Sequence, residues 1–230
     1  MAPPTLAREA ACWAAGRLLV GVDEVGRGPL AGPVVAAAVV FPPGCRPIPG
    51  VRDSKVVPPG RRAALAAEIR LRALAVAVAA ASRGEVDRLN IRVATALAMR
   101  RAVLRLVEGR GSRVEREGFR LRDPSLDPQP STLDLLLDGL PLPELGLPHD
   151  ALVDGDALCH SVAAAGIVAK VVRDELMLRL HRRHPGYGWD TNAGYGTAEH
   201  RAGIERFGLT VHHRRSWEPI RAFLLGSQNP

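Results

Sequence analysis

Residues 21–33 read GVDEVGRGPLAGP, and they place two adjacent carboxylates, Asp23 and Glu24, just before a Gly-Arg-Gly turn. Apolar runs flank this stretch, so it predicts a strand, an acidic pair, a tight turn and a second strand. An ionised carboxylate in an apolar strand is costly to desolvate unless a positive charge lies near it. Because the nearest basic residue, Arg27, lies in the turn, the stretch indicates a divalent cation with oxygen ligands.

The acidic pair also presents a geometric problem. Neighbouring side chains on a regular strand point to opposite faces, so Asp23 and Glu24 cannot both reach one ion from such a strand. We therefore expect that the strand is distorted or ends at this point, or that Glu24 acts through its main-chain carbonyl.

The composition describes an ordinary globular chain with a basic surface. The 230 residues carry a net charge of +7, which favours a polyanionic partner such as nucleic acid. The three cysteines are far apart and form no Cys-x-x-Cys pair, which argues against disulfides and structural zinc. No apolar run reaches the length of a membrane span, and the first residues do not form a secretory signal. We expect a cytoplasmic protein with no membrane contact, and by default a monomer.

Periodicity and turn residues predict the other elements in the first half of the chain. These are a helix at 3–15, strands at 17–25 and 34–41, a helix at 61–71, a strand at 73–81 and a helix from about 84 to 107. Asp87 is a candidate cap of this last helix. Residues 109–131 are rich in Gly, Arg, Pro and Asp, and they are predicted to form a surface insertion.

The second half contains a further strand at 132–138, which ends in Asp138 and Gly139. Active sites of α/β sheets form at such strand ends. Asp134 lies on the same face and is the competing candidate. A long helix with a small-residue face is predicted at 162–174. A loop rich in glycine and aromatic residues follows at 185–197, and its aromatic residues could stack on a sugar or anchor in the core.

The motif at residues 22–34 resembles the opening motif of the type 2 ribonucleases H, the ribonuclease HII group. Later segments continue the resemblance, which spans about residues 16–107 and 132–222. They are Asp53-Ser54-Lys55, the strand ending in Asp138-Gly139, Asp156 in the sequence Asp154-Gly155-Asp156, Lys170 and Arg173 on the long helix, Gly194-Tyr195-Gly196-Thr197, and His213-Arg214-Arg215-Ser216.

The resemblance implies an α/β fold: a ribonuclease H-like mixed sheet flanked by helices, with a C-terminal helical appendage. We expect the catalytic domain at 1–207 and the appendage at 208–230. The implied activity is hydrolysis of the RNA strand of RNA/DNA hybrids and nicking of DNA duplexes 5′ of embedded ribonucleotides. The implied catalytic and metal-binding residues, which would hold one or two Mg²⁺ or Mn²⁺ ions, are Asp23, Glu24, Asp138 and Asp156.

The resemblance also implies a set of substrate contacts. The turn Gly26-Arg27-Gly28 would read a 2′-hydroxyl through its main chain, and Tyr195 would pack against the sugar at the cleavage site. Ser54, Lys55 and Lys170 complete the expected substrate-binding set. Alternatives stay open for two motifs: Asp53 or Ser54 could instead cap a helix, and the basic residues at 214–215 could meet phosphate or brace the acidic site.

Three positions depart from the family pattern. Asp154 stands where the family has lysine, residues 163–166 lack two serine hydroxyls, and Ala193 replaces a lysine. These changes predict a slower or more metal-demanding enzyme, and they keep a non-catalytic hybrid-binding homologue as an alternative. A nucleotide-sugar transferase, suggested by Asp154-Gly155-Asp156 alone, is disfavoured by the other motifs.

Overall fold

The computed structural model describes residues 2–109 and 132–226. Five strands form one sheet: β1 (Leu18–Val25), β2 (Val34–Val40), β3 (Ala75–Ala81), β4 (Leu133–Asp138) and β5 (Asp150–Leu152). Their order is β3-β2-β1-β4-β5. Strand β1 pairs antiparallel with β2 and parallel with β4, so the acidic pair lies on the central strand of a mixed sheet.

Eight helices surround this sheet in the described residues, and together with it they confirm the predicted fold class. They are α1 (Ala7–Ala14), α2 (Pro59–Arg72), α3 (Arg83–Val107), α4 (Gly155–Leu158), α5 (His160–Arg183), α6 (Trp189–Asn192), α7 (Ala198–Phe207) and α8 (Glu218–Gly226). Helix α3 covers one face of the sheet, and α2 and α5 cover the other. Within the described residues, each helix is too short or too polar to span a membrane.

Alternation along β1 decides which face each side chain reaches. Val20 and Val22 pack in the core against α3, whereas Leu19 packs beside Val162 of α5. By the same alternation Asp23 points toward α5 and Glu24 toward the α3 side. The buried alanines and valines of β2 let both helical layers approach the sheet closely.

Helix α3 begins at a capping box and not at Asp87. The Ser82 hydroxyl accepts a hydrogen bond from the Glu85 N–H, and the Glu85 carboxylate accepts one from the Ser82 N–H. The expectation that Asp87 caps this helix is therefore wrong. Asn90 interrupts the helix with φ 67° and ψ 168°, and its side chain accepts hydrogen bonds from two following N–H groups. Periodicity did not predict this kink.

The outer edge of β3 is covered by arginines from α3. Arg101 donates a hydrogen bond to the carbonyl of Ala80 (3.0 Å), and Arg105 donates one to the carbonyl of Val78 (2.7 Å). At the other edge, β5 is only three residues long and was not predicted, since such a short segment shows no alternation.

The C-terminal helices share a small core with the end of α5. Trp189 is fully buried there, as expected for an anchoring aromatic residue. Tyr187 and Ile204 pack in the same cluster as Ile220, on both sides of the predicted boundary at 207/208. That boundary stays a prediction, and the predicted insertion lies, except for Gly109, outside the described residues.

Candidate active site

Three carboxylates meet at the carboxyl ends of β1 and β4. One oxygen each from Asp23, Asp138 and Asp156 lies within 4.8 Å of the other two. Strand register explains the first pair, because Val22 is paired with Leu137 and the next residue on each strand is an aspartate. Asp156 comes from the first turn of α4, and its N–H donates a hydrogen bond to the Asp138 carboxylate (3.4 Å). All-oxygen donors at this spacing suit a hard divalent cation.

Gly166 of α5 makes room for the buried carboxylate of Asp23. A Cβ atom at position 166 would overlap Asp23 Oδ2. Asp23 Oδ1 accepts a hydrogen bond from the Glu24 N–H (2.7 Å). The glycine that the sequence identified as a lost hydroxyl therefore leaves room for the Asp23 carboxylate in the position it has here. Ala163 is likewise fully buried, so neither position is exposed to a substrate.

The cluster holds more negative charge than its surroundings compensate. Burial, followed by repulsion from Glu24 and Asp138, raises the pKa of Asp23 well above its usual range. Burial and repulsion from Asp138 raise the pKa of Asp156 to about 6. Burial also raises the pKa of Asp138, and Asp154 adds to that rise. A bound cation would relieve this repulsion, so the carboxylates present fit the implied metal.

Glu24 lies apart from these three aspartates. Its carboxylate accepts a hydrogen bond from Arg27 (3.2 Å), and it lines a pocket with Thr95 and Met99 of α3. Asp138 lines the same pocket, although it also belongs to the cluster with Asp23 and Asp156. Burial raises the pKa of Glu24, while Arg27 opposes the rise. The geometric problem posed by two neighbouring acids therefore persists in the structure, and the role of Glu24 as a ligand stays a prediction.

Asp134, the competing acid on β4, forms an ion pair away from the cluster. Its two oxygens accept hydrogen bonds from the Arg17 guanidinium at 2.6–2.9 Å. The hydrogen bond from Arg17 holds the pKa of Asp134 below its usual range. The choice of Asp138 over Asp134 agrees with this arrangement.

The turn Gly26-Arg27-Gly28 is held by the buried guanidinium of Arg214. This side chain donates hydrogen bonds to the carbonyls of Gly26 (2.6 Å), Arg27 (2.7 Å) and Gly32 (2.9 Å). Gly26 has φ 96°, a left-handed conformation that favours glycine. Of the two roles left open for the basic residues at 214–215, the structure gives Arg214 the bracing one, although it braces the turn and not the acids.

Tyr195 lies beside this turn. The residue is 47% exposed, and a Cβ atom at Gly28 would lie 3.4 Å from Tyr195 Cε1. The neighbouring Ala193 has φ 48°, and its carbonyl accepts a hydrogen bond from Arg173 (3.0 Å). The structure therefore brings the expected sugar-binding tyrosine and the expected 2′-hydroxyl-binding turn together.

The Asp53-Ser54-Lys55 segment lies on the acidic side of the site. Asp53 and Asp156 interact, and the Lys55 ammonium lies 3.7 Å from the Asp53 carboxylate. Burial lowers the pKa of Lys55, but attraction by Asp53, Asp156, Asp23 and Asp138 outweighs it and raises the pKa. Ser54 is buried, and its carbonyl accepts a hydrogen bond from Arg62. The capping alternative is wrong, because the N-cap of α2 is Pro58.

Lys170 and Arg173 make internal contacts on α5. Lys170 donates a hydrogen bond to Asp174 (2.6 Å), and its side chain is 18% exposed. Arg173 is fully buried and donates hydrogen bonds to the carbonyls of Pro33, Ala193 and Ala31. The described contacts of both residues are thus structural, and a substrate contact of Lys170 stays a prediction.

Sequence reasoning missed the contact of Gly166 with Asp23, and the bracing role it offered for Arg214 was toward the acids and not toward the turn. Both act through contacts with residues more than a hundred positions away, which no local spacing encodes. For Arg214, chemistry could have indicated the contact. The carbonyls of a Gly-Arg-Gly turn need hydrogen-bond donors, and one arginine can donate to several carbonyls at once. The His-Arg-Arg-Ser motif was the available source of such a residue.

The mixed sheet, with a carboxylate cluster at the ends of its two central parallel strands, defines a metal-dependent nuclease of the ribonuclease H fold. The crystal structure of ribonuclease H2 from Pyrococcus horikoshii shares this fold with a TM-score of 0.68 at 22% identity, covering 93% of this chain and 100% of that one. Bst-RNase HIII in complex with Mn²⁺ gives a TM-score of 0.63 at 20% identity, covering 94% of this chain and 71% of that one.

The sequence comparisons identify the family within this class. The family model for Ribonuclease HII matches residues 20–220. Ribonuclease HII from Synechococcus sp. (strain JA-3-3Ab) is 49% identical over 226 residues, which covers 97% of this chain and 92% of that protein. This chain belongs to the ribonuclease HII family, as its motifs indicated.

Proposed function

We propose that this chain is a metal-dependent endonuclease that hydrolyses the RNA strand of RNA/DNA hybrids and nicks DNA 5′ of embedded ribonucleotides, leaving a 5′-phosphate. The observation that supports this most strongly is the cluster of Asp23, Asp138 and Asp156 beside the turn and Tyr195. Membership of the ribonuclease HII family supports the same activity.

Asp23, Asp138 and Asp156 would hold Mg²⁺ or Mn²⁺, with Glu24 contributing from the other face. One or two such ions activate a water molecule and stabilise the leaving oxygen of a phosphodiester. Mn²⁺ is present in the Bst-RNase HIII structure, which shares the fold. Burial and repulsion raise the pKa values of these aspartates, and a bound cation would relieve the repulsion.

The residues beside the cluster would select the ribonucleotide. The turn Gly26-Arg27-Gly28 presents main-chain groups at a fixed position, because Arg214 holds its carbonyls, and a 2′-hydroxyl can both donate to and accept from such groups. Tyr195 would pack on the sugar. The side chain of Lys55 is 82% exposed, and it would meet a phosphate near the acids. Ser54, which is buried, and Lys170, whose side chain is 18% exposed, complete the proposed substrate-binding set.

We propose that the enzyme acts as a monomer in the cytoplasm. The cysteines support the compartment, since Cys12, Cys45 and Cys159 are free thiols, as is usual in a reducing environment. The monomer is the default assumption. The net charge of +7 also suits a nucleic-acid substrate.

An end-labelled DNA duplex with one ribonucleotide tests the activity. We expect a cut on the 5′ side of the ribonucleotide with Mg²⁺ or Mn²⁺, and none with chelator or in Asp138→Asn. The matched control is Asp134→Asn, the same substitution on the same face of β4, which should retain cleavage because Asp134 is paired with Arg17. Binding without cleavage under both metals would instead support a non-catalytic hybrid-binding homologue.

A further inference from the structure

A chain of buried hydrogen bonds runs from the C-terminal segment to Tyr195. The N–H and hydroxyl of Thr210 contact His213 Nδ1 at 2.9 and 3.0 Å. His213 Nε2 lies 3.1 Å from His200 Nε2, and His200 Nδ1 lies 2.9 Å from the carbonyl of Tyr195. Both imidazoles are fully buried. Neither histidine contacts the acidic cluster, and the proposed chemistry does not use them.

The surrounding groups permit one arrangement of protons along this chain. The Thr210 N–H makes His213 Nδ1 an acceptor, so His213 carries its proton on Nε2 and donates it to His200. Trp189 Nε1 also donates to His200 Nε2 (3.0 Å), so the single lone pair of this nitrogen is shared between two donors and the His200 proton lies on Nδ1. That proton is donated to the Tyr195 carbonyl. Burial lowers the pKa of His200 and lowers that of His213 to about 4, so both rings are neutral near pH 7.

Both histidines of this chain adjoin a residue of the proposed ribonucleotide site. Next to His213, Arg214 holds the carbonyls of Gly26 and Arg27. His200 donates a hydrogen bond to the Tyr195 carbonyl, and the ring of Tyr195 lies beside Gly28. The segment from Thr210 to Arg214 therefore fixes both sides of the gap between the turn and the tyrosine.

We propose that His200 and His213 are positioning residues for ribonucleotide recognition, which set the distance between Tyr195 and the Gly26-Arg27-Gly28 turn through the Tyr195 main chain. The proposal rests on the proposed function in that Tyr195 packs against the ribose. The imidazoles themselves touch no substrate. Their effect is to hold Tyr195 in place before the substrate binds, so that less ordering is needed on binding.

Two amide substitutions at position 200 separate this role from a general contribution to folding. His200→Asn keeps an N–H donor near the Nδ1 position and can still bond the Tyr195 carbonyl. His200→Gln instead keeps an oxygen acceptor near the Nε2 position for Trp189 and His213, but loses the bond to Tyr195. A role confined to core stability predicts similar losses in both variants.

Cleavage kinetics on the single-ribonucleotide duplex give the first test. We expect His200→Gln to lower kcat/KM by roughly tenfold, mainly through KM, and His200→Asn to lower it by much less. In a Tyr195→Ala background His200→Gln should cause no further loss, because its effect passes through Tyr195. Equal losses in the Asn and Gln variants, or a full tenfold loss on top of Tyr195→Ala, would overturn the proposal.

Hydrogen exchange of the full chain gives a second test that does not depend on catalysis. Exchange of the Tyr195 and Thr197 amides should be faster in His200→Gln than in His200→Asn. Identical exchange in the two variants would refute the positioning role even if the wild-type enzyme cleaves. If the variants differ in exchange but the wild type does not cleave, only the proposed function is refuted. If neither His200 variant folds, Thr210→Val should produce the same effects from the far end of the chain, in smaller measure.

Discussion

Replacing Asp156 by asparagine should stabilise the metal-free protein at neutral pH. In the folded chain the pKa of Asp156 rises from 3.8 to about 6 because of burial and repulsion from Asp138, so its ionised form disfavours folding. At about 1.4 kcal/mol per pH unit, this rise amounts to about 3 kcal/mol. Solvent screens the partly exposed side chain, and we therefore expect a gain of roughly 1–2 kcal/mol in the free energy of unfolding.

The pH dependence follows from the same linkage. The free-energy cost of ionising Asp156 in the folded chain is absent below about pH 3.8, where this residue is protonated in both states. The cost is complete above about pH 6. Thermal unfolding with chelator at pH 8 should show a midpoint higher by roughly 2–8 °C for Asp156→Asn. With Mn²⁺ the order should reverse, because the wild type alone gains from tight binding.

Asp134→Asn serves as the matched control for this experiment. It removes a carboxylate whose pKa is lowered by Arg17, so it should destabilise the protein slightly at pH 8. If Asp156→Asn is no more stable than wild type in chelator at pH 8, the acidic cluster is not under repulsion and the argument for a cation from the pKa values is wrong.

Three further changes have defined outcomes. Gly166→Leu should displace Asp23, lower cleavage and reduce stability by about 1–3 kcal/mol in urea unfolding, whereas Gly60→Leu, into open space, should be neutral. Arg214→Lys cannot replace three hydrogen bonds to carbonyls, so stability should fall by about 3 kcal/mol and KM for the ribonucleotide duplex should rise; an unchanged KM would contradict the bracing role. Burial lowers the pKa of His160 to about 4, so the unfolded chain takes up a proton at this residue before the folded chain does. Between pH 6.5 and 4 the wild type should therefore lose up to about 3 kcal/mol more of its free energy of unfolding than His160→Gln. Parallel curves of stability against pH for the two proteins would contradict this.

The sequence predicted those features that depend on local pattern. Apolar runs bounded by turn residues predicted the strands β1 to β4, and the choice of the acid at the end of β4 over Asp134 agrees with the Arg17–Asp134 ion pair. Asp23 and Asp138 were chosen because each follows an apolar run, and Asp156 because its segment resembles the family motif; the metal-binding role of all three stays a prediction. Strand alternation showed that Asp23 and Glu24 could not both reach one ion from a regular strand, and β1 pairs with β2 in an unbroken register through both residues.

Features that depend on contacts between distant segments could not be predicted. Asp87 was a plausible helix cap by position, but its carboxylate accepts hydrogen bonds from the main chain of Arg215 and Ser216. The role of Gly166 depends on the close approach of α5 to β1, which no spacing reveals. Strand β5 is too short to show a period, and it forms because β4 offers a free edge.

The arginines on the outer edge of β3 have a consequence for solubility. An exposed strand of alanine and valine offers unpaired main-chain groups to another chain, which is a route to aggregation. Arg101 and Arg105 occupy two of these carbonyls with charged side chains from the same molecule, while the opposite edge is only three residues long. The sheet therefore presents little continuous edge to a neighbouring copy, and this protects an apolar, alanine-rich core at high concentration.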